Sequence, residues 1–170
     1  MIKGFGSTEP DAEKALFIAP NATLVGDVSL GEGSSVWYNA VLRADENKII
    51  VGRNSNIQDN STIHVTREKP CTVGDNVSVG HNAVLHACTV EDECIIGMNA
   101  TVLTGAVIGR GSIVAAGSVV REGTIVPEMS LVAGVPAQVK KSLGKKELAM
   151  IRENSQEYVR LAKQHSEQFI

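Results

Sequence analysis

From Ile18 onward one aliphatic side chain returns every six positions, at Ile18, Leu24, Leu30, Val36 and Leu42, then at Val51, Ile57 and Ile63, and again at Val73, Val79 and Leu85. The period resumes at Val90 and runs through Ile96, Val102, Ile108, Val114, Val120, Val126 and Val132. Four residues after most of these anchors stands a small one, among them Ala22, Ser34, Ala40, Ser55, Ser61, Ala83 and Ala100, so the interior has little room there. A period sustained this far marks a stacked architecture, in which each unit buries its apolar edge only against its neighbours. Six residues is too short for a helical repeat, so the units are short strands joined by corners.

This hexapeptide repeat resembles that of left-handed parallel β-helix proteins, in which three repeats make one triangular coil. The hand is implied by the resemblance alone, because general rules for parallel strands favour right-handed crossovers. Three repeats per coil sort the anchors into three columns. The first holds Leu24, Leu42, Ile63, Leu85, Val102 and Val120, and the residues that follow them place Arg43, His64 and His86 in one stack. The second holds Ile18, Val36, Ile57, Val79, Ile96, Val114 and Val132, so Gln58 lies one coil from Gly80 and Asp59 one coil from His81. The third is followed mainly by glycine, at Gly31, Gly52, Gly74 and Gly109, as expected of tight corners where a Cβ is costly. The irregular spacings, 42 to 51, 63 to 73 and 85 to 90, all fall just after the first column. Extra residues around Asp45 to Lys48 and Arg67 to Pro70 should therefore bulge outward beside the histidines, where loops commonly carry function.

Outside the repeat, residues 1–16 contain Gly4, Gly6 and Pro10 without useful periodicity and read as an irregular arm or short edge strand. The period ends after Pro136, and Gly144 to Phe169 reads as a helix with Leu148, Ile151, Tyr158, Leu161, Ala162 and Phe169 on its apolar side. His165 reads as a solvated residue of that helix. The expected organisation is a mainly β chain: an arm over 1–16, a left-handed parallel β-helix over 17–138 and a C-terminal α-helix over 142–170 packed on the prism, all in one domain.

Composition narrows the partners. The net charge of −3 and pI near 5.8 offer no basic surplus for nucleic acid or an anionic membrane. No stretch approaches the roughly 18 uninterrupted apolar residues of a membrane span, and the expectation is a soluble cytoplasmic protein. Three cysteines, Cys71, Cys88 and Cys94, form no paired framework and read as reduced thiols. Aromatics make up only 4% of the chain, which suits a thin interior packed by small branched side chains.

Three of the four histidines, His64, His81 and His86, lie within this regular core. Equivalent residues in successive coils are about 4.8 Å apart, close enough for His64 and His86 to share one ion. His81 precedes His86 by a stretch that spans roughly 16 Å when extended, on another face. A cyclic trimer would close that gap, because a repeated head-to-tail contact puts His81 of one chain beside His64 and His86 of the next. Three neutral imidazoles leave a zinc position open for water, the arrangement of a catalytic rather than a structural site, and make hydroxide accessible near neutral pH.

The stretch Val41-Leu42-Arg43-Ala44-Asp45, followed by Asn56-Ile57-Gln58-Asp59, His64, Gly80-His81 and His86, resembles the gamma-class carbonic anhydrases. The likeness runs from about Phe17 through Ala133-Gly134-Val135-Pro136-Ala137 and includes the trailing helix. It implies that the three histidines bind Zn2+, or Fe2+ or Co2+, at the interface of a homotrimer, His81 coming from the adjacent chain, and that the substrate pair is CO2 and bicarbonate. It also implies that Gln58 orients the water, that Arg43 and Asp59 form an ion pair between subunits, and that Asp45 supports the interface. Asn56, in the same motif, joins Gln58 as a candidate catalytic residue, and Glu46 is the candidate to accept a proton from the site. The chain departs from the family in two places. Val65-Thr66-Arg67-Glu68-Lys69-Pro70 stands where well-characterised members carry a longer acidic loop with a proton-shuttling glutamate. Met129-Ser130-Leu131 occupies the stretch where an aromatic residue beside the site is expected.

Two other classes compete. Hexapeptide acyltransferases use the prism groove for a thioester and usually one histidine as base, which does not require three metal-spaced histidines; a metal-dependent CoA thioesterase is a closer variant. A scaffold or assembly protein with a vestigial site is the third reading.

Overall fold

The computed structural model describes residues 1–168, and in it the six-residue period becomes three stacks of short parallel strands. On the first face Leu24, Leu42, Ile63, Leu85, Val102 and Val120 are successive Cα partners. Ile18, Val36, Ile57, Val79, Ile96, Val114 and Val132 follow one another on the second. Leu30, Val51, Val73, Val90, Ile108 and Val126 do so on the third. Most of these anchors are completely buried, and so are the small corner residues Ala22, Ser34, Ala40, Ser55, Ser61, Ala83 and Ala100. The chain is a left-handed parallel β-helix with one C-terminal helix.

The corners explain why the strands stop. After the second column Asn39, Asn60, Asn82 and Asn99 stand one above another with φ of 59°, 60°, 59° and 58°. Asparagine tolerates the left-handed conformation because its short side chain bonds locally, so this recurrence is a sequence signal for the corner that hydrophobic periodicity passes over. The third-column glycines are required for another reason. A Cβ on Gly31 would lie 2.8 Å from the Arg53 amide nitrogen of the next coil, and one on Gly109 2.6 Å from that of Glu128. Crowding between coils, not a positive φ, excludes larger residues there.

The corner beside the first column bulges as expected, with one difference. Asp45 to Lys48 belong to a single strand, Val41–Val51, whose register against Thr23–Leu30 slips between Gly26 and Val28. Residues 65–70 form an open loop, closed by reciprocal backbone hydrogen bonds between Thr66 and Lys69.

Both ends of the prism are partly covered. Ile2–Lys3 pairs in parallel with Leu24 and Val25, and Asp11 with Ser29, so the N-terminal arm adds a partial rung below the first coil. Gln138–Ser142, which the sequence pattern does not reveal, returns antiparallel along Ser130–Ala133. Such coverage shields edge strands that would otherwise template association.

The helix Lys145–Gln168 starts where the Gly144 amide donates to Glu147 Oε2 at 2.9 Å, and it lies across the second face. Ile151, Ser155 and Ala162 are buried under it, with Tyr158 and Leu161 partly so. His165 is not the solvated residue expected. Its Nδ1 is 2.8 Å from the Tyr38 hydroxyl, and its ring packs 5.0 Å from Trp37 and 5.4 Å from Phe17, because the helix turns that side toward the prism's few aromatics. Phe169, assigned by pattern to the same apolar side, lies outside the described residues. Glu93 ties helix to prism: one carboxylate oxygen accepts from Arg110 at 2.6 and 2.8 Å, the other from Arg152 of the helix. Arg152 chiefly, with Arg110, holds Glu93 below the ordinary glutamate value against the opposing effect of burial. Among the described residues no helix is long and apolar enough to cross a membrane.

Candidate metal centre

His64 and His86 end the strands Thr62–His64 and Val84–His86 and are direct Cα partners, with Arg43 the partner of His64 on the other side. The stack deduced from spacing is therefore present. His64 Nδ1 lies 3.2 Å from His86 Nε2, the rings tilted by 50°. The other ring nitrogens are occupied. His64 Nε2 is 3.1 Å from Asp45 Oδ1, and His86 Nδ1 is 2.9 Å from Thr104 Oγ1. His81 sits on the second corner with Nδ1 2.7 Å from Asp59 Oδ2, and the Asn82 amide donates to the Asp59 carbonyl, placing Asp59 one coil away.

Two nitrogens bound to one tetrahedral zinc at about 2.0–2.1 Å are roughly 3.3 Å apart. The 3.2 Å between His64 Nδ1 and His86 Nε2 matches that separation. Metal-bound histidines almost always commit the second nitrogen to a carboxylate, carbonyl or similar partner, which fixes ring and tautomer. All three histidines do so here, so the donor set fits a divalent cation. His81 turns away on a different face. Among the described residues no group of three or more histidine, cysteine or acidic side chains within one chain is placed to hold an ion.

Two cavities divide the remaining candidates. One of about 670 Å³ is lined by Phe5, Arg43, Asp45, Glu46, His64 and Arg67. In it Arg43 pairs with Asp45, and Arg67 Nε donates to Glu46 Oε1 at 3.2 Å. Burial pushes Asp45 upward, but hydrogen bonds from Arg43 and His64, and the Arg43 charge, leave it below the ordinary aspartate value. The other, of about 260 Å³, lies between the second face and the helix, among Gln58, His81, Met98, Asn154 and Tyr158. Gln58 and Asn56 are buried in a chain: Gln58 Nε2 donates to Asn56 Oδ1 at 2.9 Å, and Asn56 Nδ2 to Ser78 Oγ at 2.9 Å. Among the described residues no hydrogen bond is seen to Gln58 Oε1.

Within one chain Arg43 and Asp59 do not meet, each having another partner. The structure also brings in residues that sequence reasoning missed. Phe5 of the arm lines the His64 cavity, and Tyr158 of the helix lines the His81 cavity; burial first, then the Asp59 charge, raises the Tyr158 hydroxyl. Tyr158 was readable as a helix residue facing the prism, whereas nothing local marks Phe5 or Thr104.

A hexapeptide β-helix with paired imidazoles on one corner and a third on the next defines the class, and comparison with known proteins narrows it. The bacterial transferase hexapeptide (six repeats) family matches residues 87–122. A Methanocaldococcus jannaschii protein named as a probable carbonic anhydrase is 51% identical over 88% of this chain and 94% of its own. The mitochondrial gamma carbonic anhydrase 1 of Arabidopsis thaliana is 45% identical over 92% of this chain, which spans only 59% of that relative's length. A Bacillus cereus structure, solved as a candidate acetyltransferase, superposes with a TM-score of 0.96 at 36% identity, covering 99% of this chain and 98% of that one. The chain belongs to the gamma carbonic anhydrase family of hexapeptide-repeat proteins.

Proposed function

We propose that this protein is a metal-dependent lyase that interconverts CO2 and bicarbonate, assembled as a homotrimer with His64 and His86 of one subunit and His81 of the next converging on one ion. The observation that carries the reading is the pair of facing imidazole nitrogens 3.2 Å apart, each ring anchored from behind, with His81 anchored in the same way but on another corner. Bound zinc supplies a water whose pKa falls towards about 7, the value known for a different carbonic anhydrase. Fe2+ or Co2+ would suit the same nitrogen donors.

The chain's own residues carry the rest. Gln58, its amide nitrogen committed to Asn56, offers Oε1 to orient the attacking water. Asn56 acts by holding Gln58. Asp45 and Asp59 draw the N–H of His64 and His81 toward themselves and keep the opposite nitrogens available. On assembly, Arg43 and Asp59 lie on the two corners that meet, where an ion pair between subunits would align them. Glu46, at the mouth of the His64 cavity, receives the proton released from water; its partner Arg67 also stands at the head of the short basic loop that replaces a longer acidic one. A proton exit with that single carboxylate implies modest turnover. The three buried thiols suit a reducing compartment, and the cytoplasm is part of this reading.

The likeness to an acyltransferase structure makes acyl transfer or thioester hydrolysis the second reading. Metal analysis of anaerobically purified protein, then CO2 hydration and acyl-CoA hydrolysis assays with a His81→Ala control, separates the two. Metal near one ion per subunit and a hydratase rate lost in His81→Ala are expected. Absence of metal after reconstitution, or a monomer in solution, overturns the proposal.

A further inference from the structure

Resting on that metal-site reading, we infer that Thr104 is a positioning residue that sets the tautomer of His86. His64 and His81 are backed by carboxylates, whose preference is fixed because an ionised carboxylate only accepts. His86 is backed by a hydroxyl, Thr104 Oγ1, 2.9 Å from Nδ1. For His86 to share an ion with His64, Nε2 must offer its lone pair, and a neutral imidazole then carries its single N–H on Nδ1. That N–H donates to Thr104. Backbone bonds hold the threonine on both sides: the Leu103 amide donates to the Val120 carbonyl at 3.0 Å, and the Gly105 amide to the Ala87 carbonyl at 2.8 Å. The hydroxyl is thus placed by the coil above the histidine pair, and the ladder Asp45, His64, His86, Thr104 runs across four successive coils.

The experiment is a competition titration of the assembled full-length protein with zinc against a chelator, for the parent, Thr104→Val and Thr104→Ser. Loss of an outer partner of a metal-bound histidine typically weakens affinity about 10- to 100-fold. Thr104→Val, which keeps the side chain's shape and removes the hydroxyl, should lose that much, while Thr104→Ser should stay within about threefold. Thermal melting and oligomeric state of the metal-free proteins, measured alongside, should be unchanged. With Co2+ in place of zinc, the visible absorption spectrum should change in Thr104→Val and be restored in Thr104→Ser. Equal affinity of Thr104→Val and parent, an equal loss in both variants, or a Thr104→Val protein that no longer assembles overturns the assignment. A parent that takes up no metal instead overturns the metal-site reading, and this inference with it.

Discussion

The two corners that carry histidines are built by different rules. At the corner after the first column, His64 and His86 stand in strict register, the His64 side chain 16% exposed and braced by Asp45, which Arg43 braces in turn. At the corner after the second column the His81 side chain is 42% exposed and, among the described residues, is braced by Asp59. A parallel stack repeats a position every coil, so it supplies paired ligands readily. It cannot turn a third one onto the same point, because the next corner lies a full strand away. The difference teaches that, on the proposed reading, the ladder supplies half of a metal site and assembly would complete it.

The sharpest way to break this comparison is complementation. His81→Ala and His64→Ala should each abolish high-affinity metal binding and CO2 hydration when purified alone. If the halves come from different chains, co-refolding equal amounts should restore about a quarter of the sites, the share in which an intact ladder meets an intact His81 in a cyclic trimer. Metal content after gel filtration checks it, and no recovery means that one chain builds the whole site.

Next in size is the packing beneath the ladder. Ile63, completely buried just before His64, should cost about 2–5 kcal/mol when truncated to alanine, as deep apolar truncations do. Met98, half-exposed beside His81, should stay within about 0.5 kcal/mol. Urea unfolding of Ile63→Ala and Met98→Ala measures the contrast. A smaller effect separates the braces: Asp45→Asn should weaken zinc binding about 10- to 100-fold, and the more exposed Asp59→Asn by about tenfold. Chelator competition reads both.

The same contrast governs what the sequence discloses. All three columns, the His64–His86 stack and the displacement of His81 follow from counting in sixes, because a solenoid repeats its geometry with its sequence. Gln58 and Asn56 come with their motif, and Glu46 follows just after another stretch of it, but the bonds that orient them do not. Asp45 to His64, Thr104 to His86 and Glu46 to Arg67 join successive coils through side chains whose rotamers no period fixes. Phe5, Tyr158, His165 and the strand Gln138–Ser142 belong to the non-repeating ends, where placement depends on which prism face the chain folds back on.

Glu93 decides how firmly the helix closes the His81 side. It is buried, it joins Arg110 of the prism to Arg152 of the helix, and the same helix carries Asn154 and Tyr158 into the His81 cavity. Because its folded pKa lies below the ordinary glutamate value, its contribution is fully present above about pH 4.3 and is lost as pH falls through the folded value. Both guanidiniums are half-exposed, which discounts the pair to about 1 kcal/mol near neutral pH. Glu93→Gln should therefore lower the unfolding free energy at pH 7, read from urea denaturation, by that amount, and the two proteins should converge as the pH falls through the folded value. Fluorescence of Trp37, against which Tyr158 packs at 5.4 Å, and protease sensitivity of the helix should respond before the ladder does. A Glu93→Gln deficit that persists unchanged in acid would show that the side chain's packing, rather than its charge, holds the helix in place.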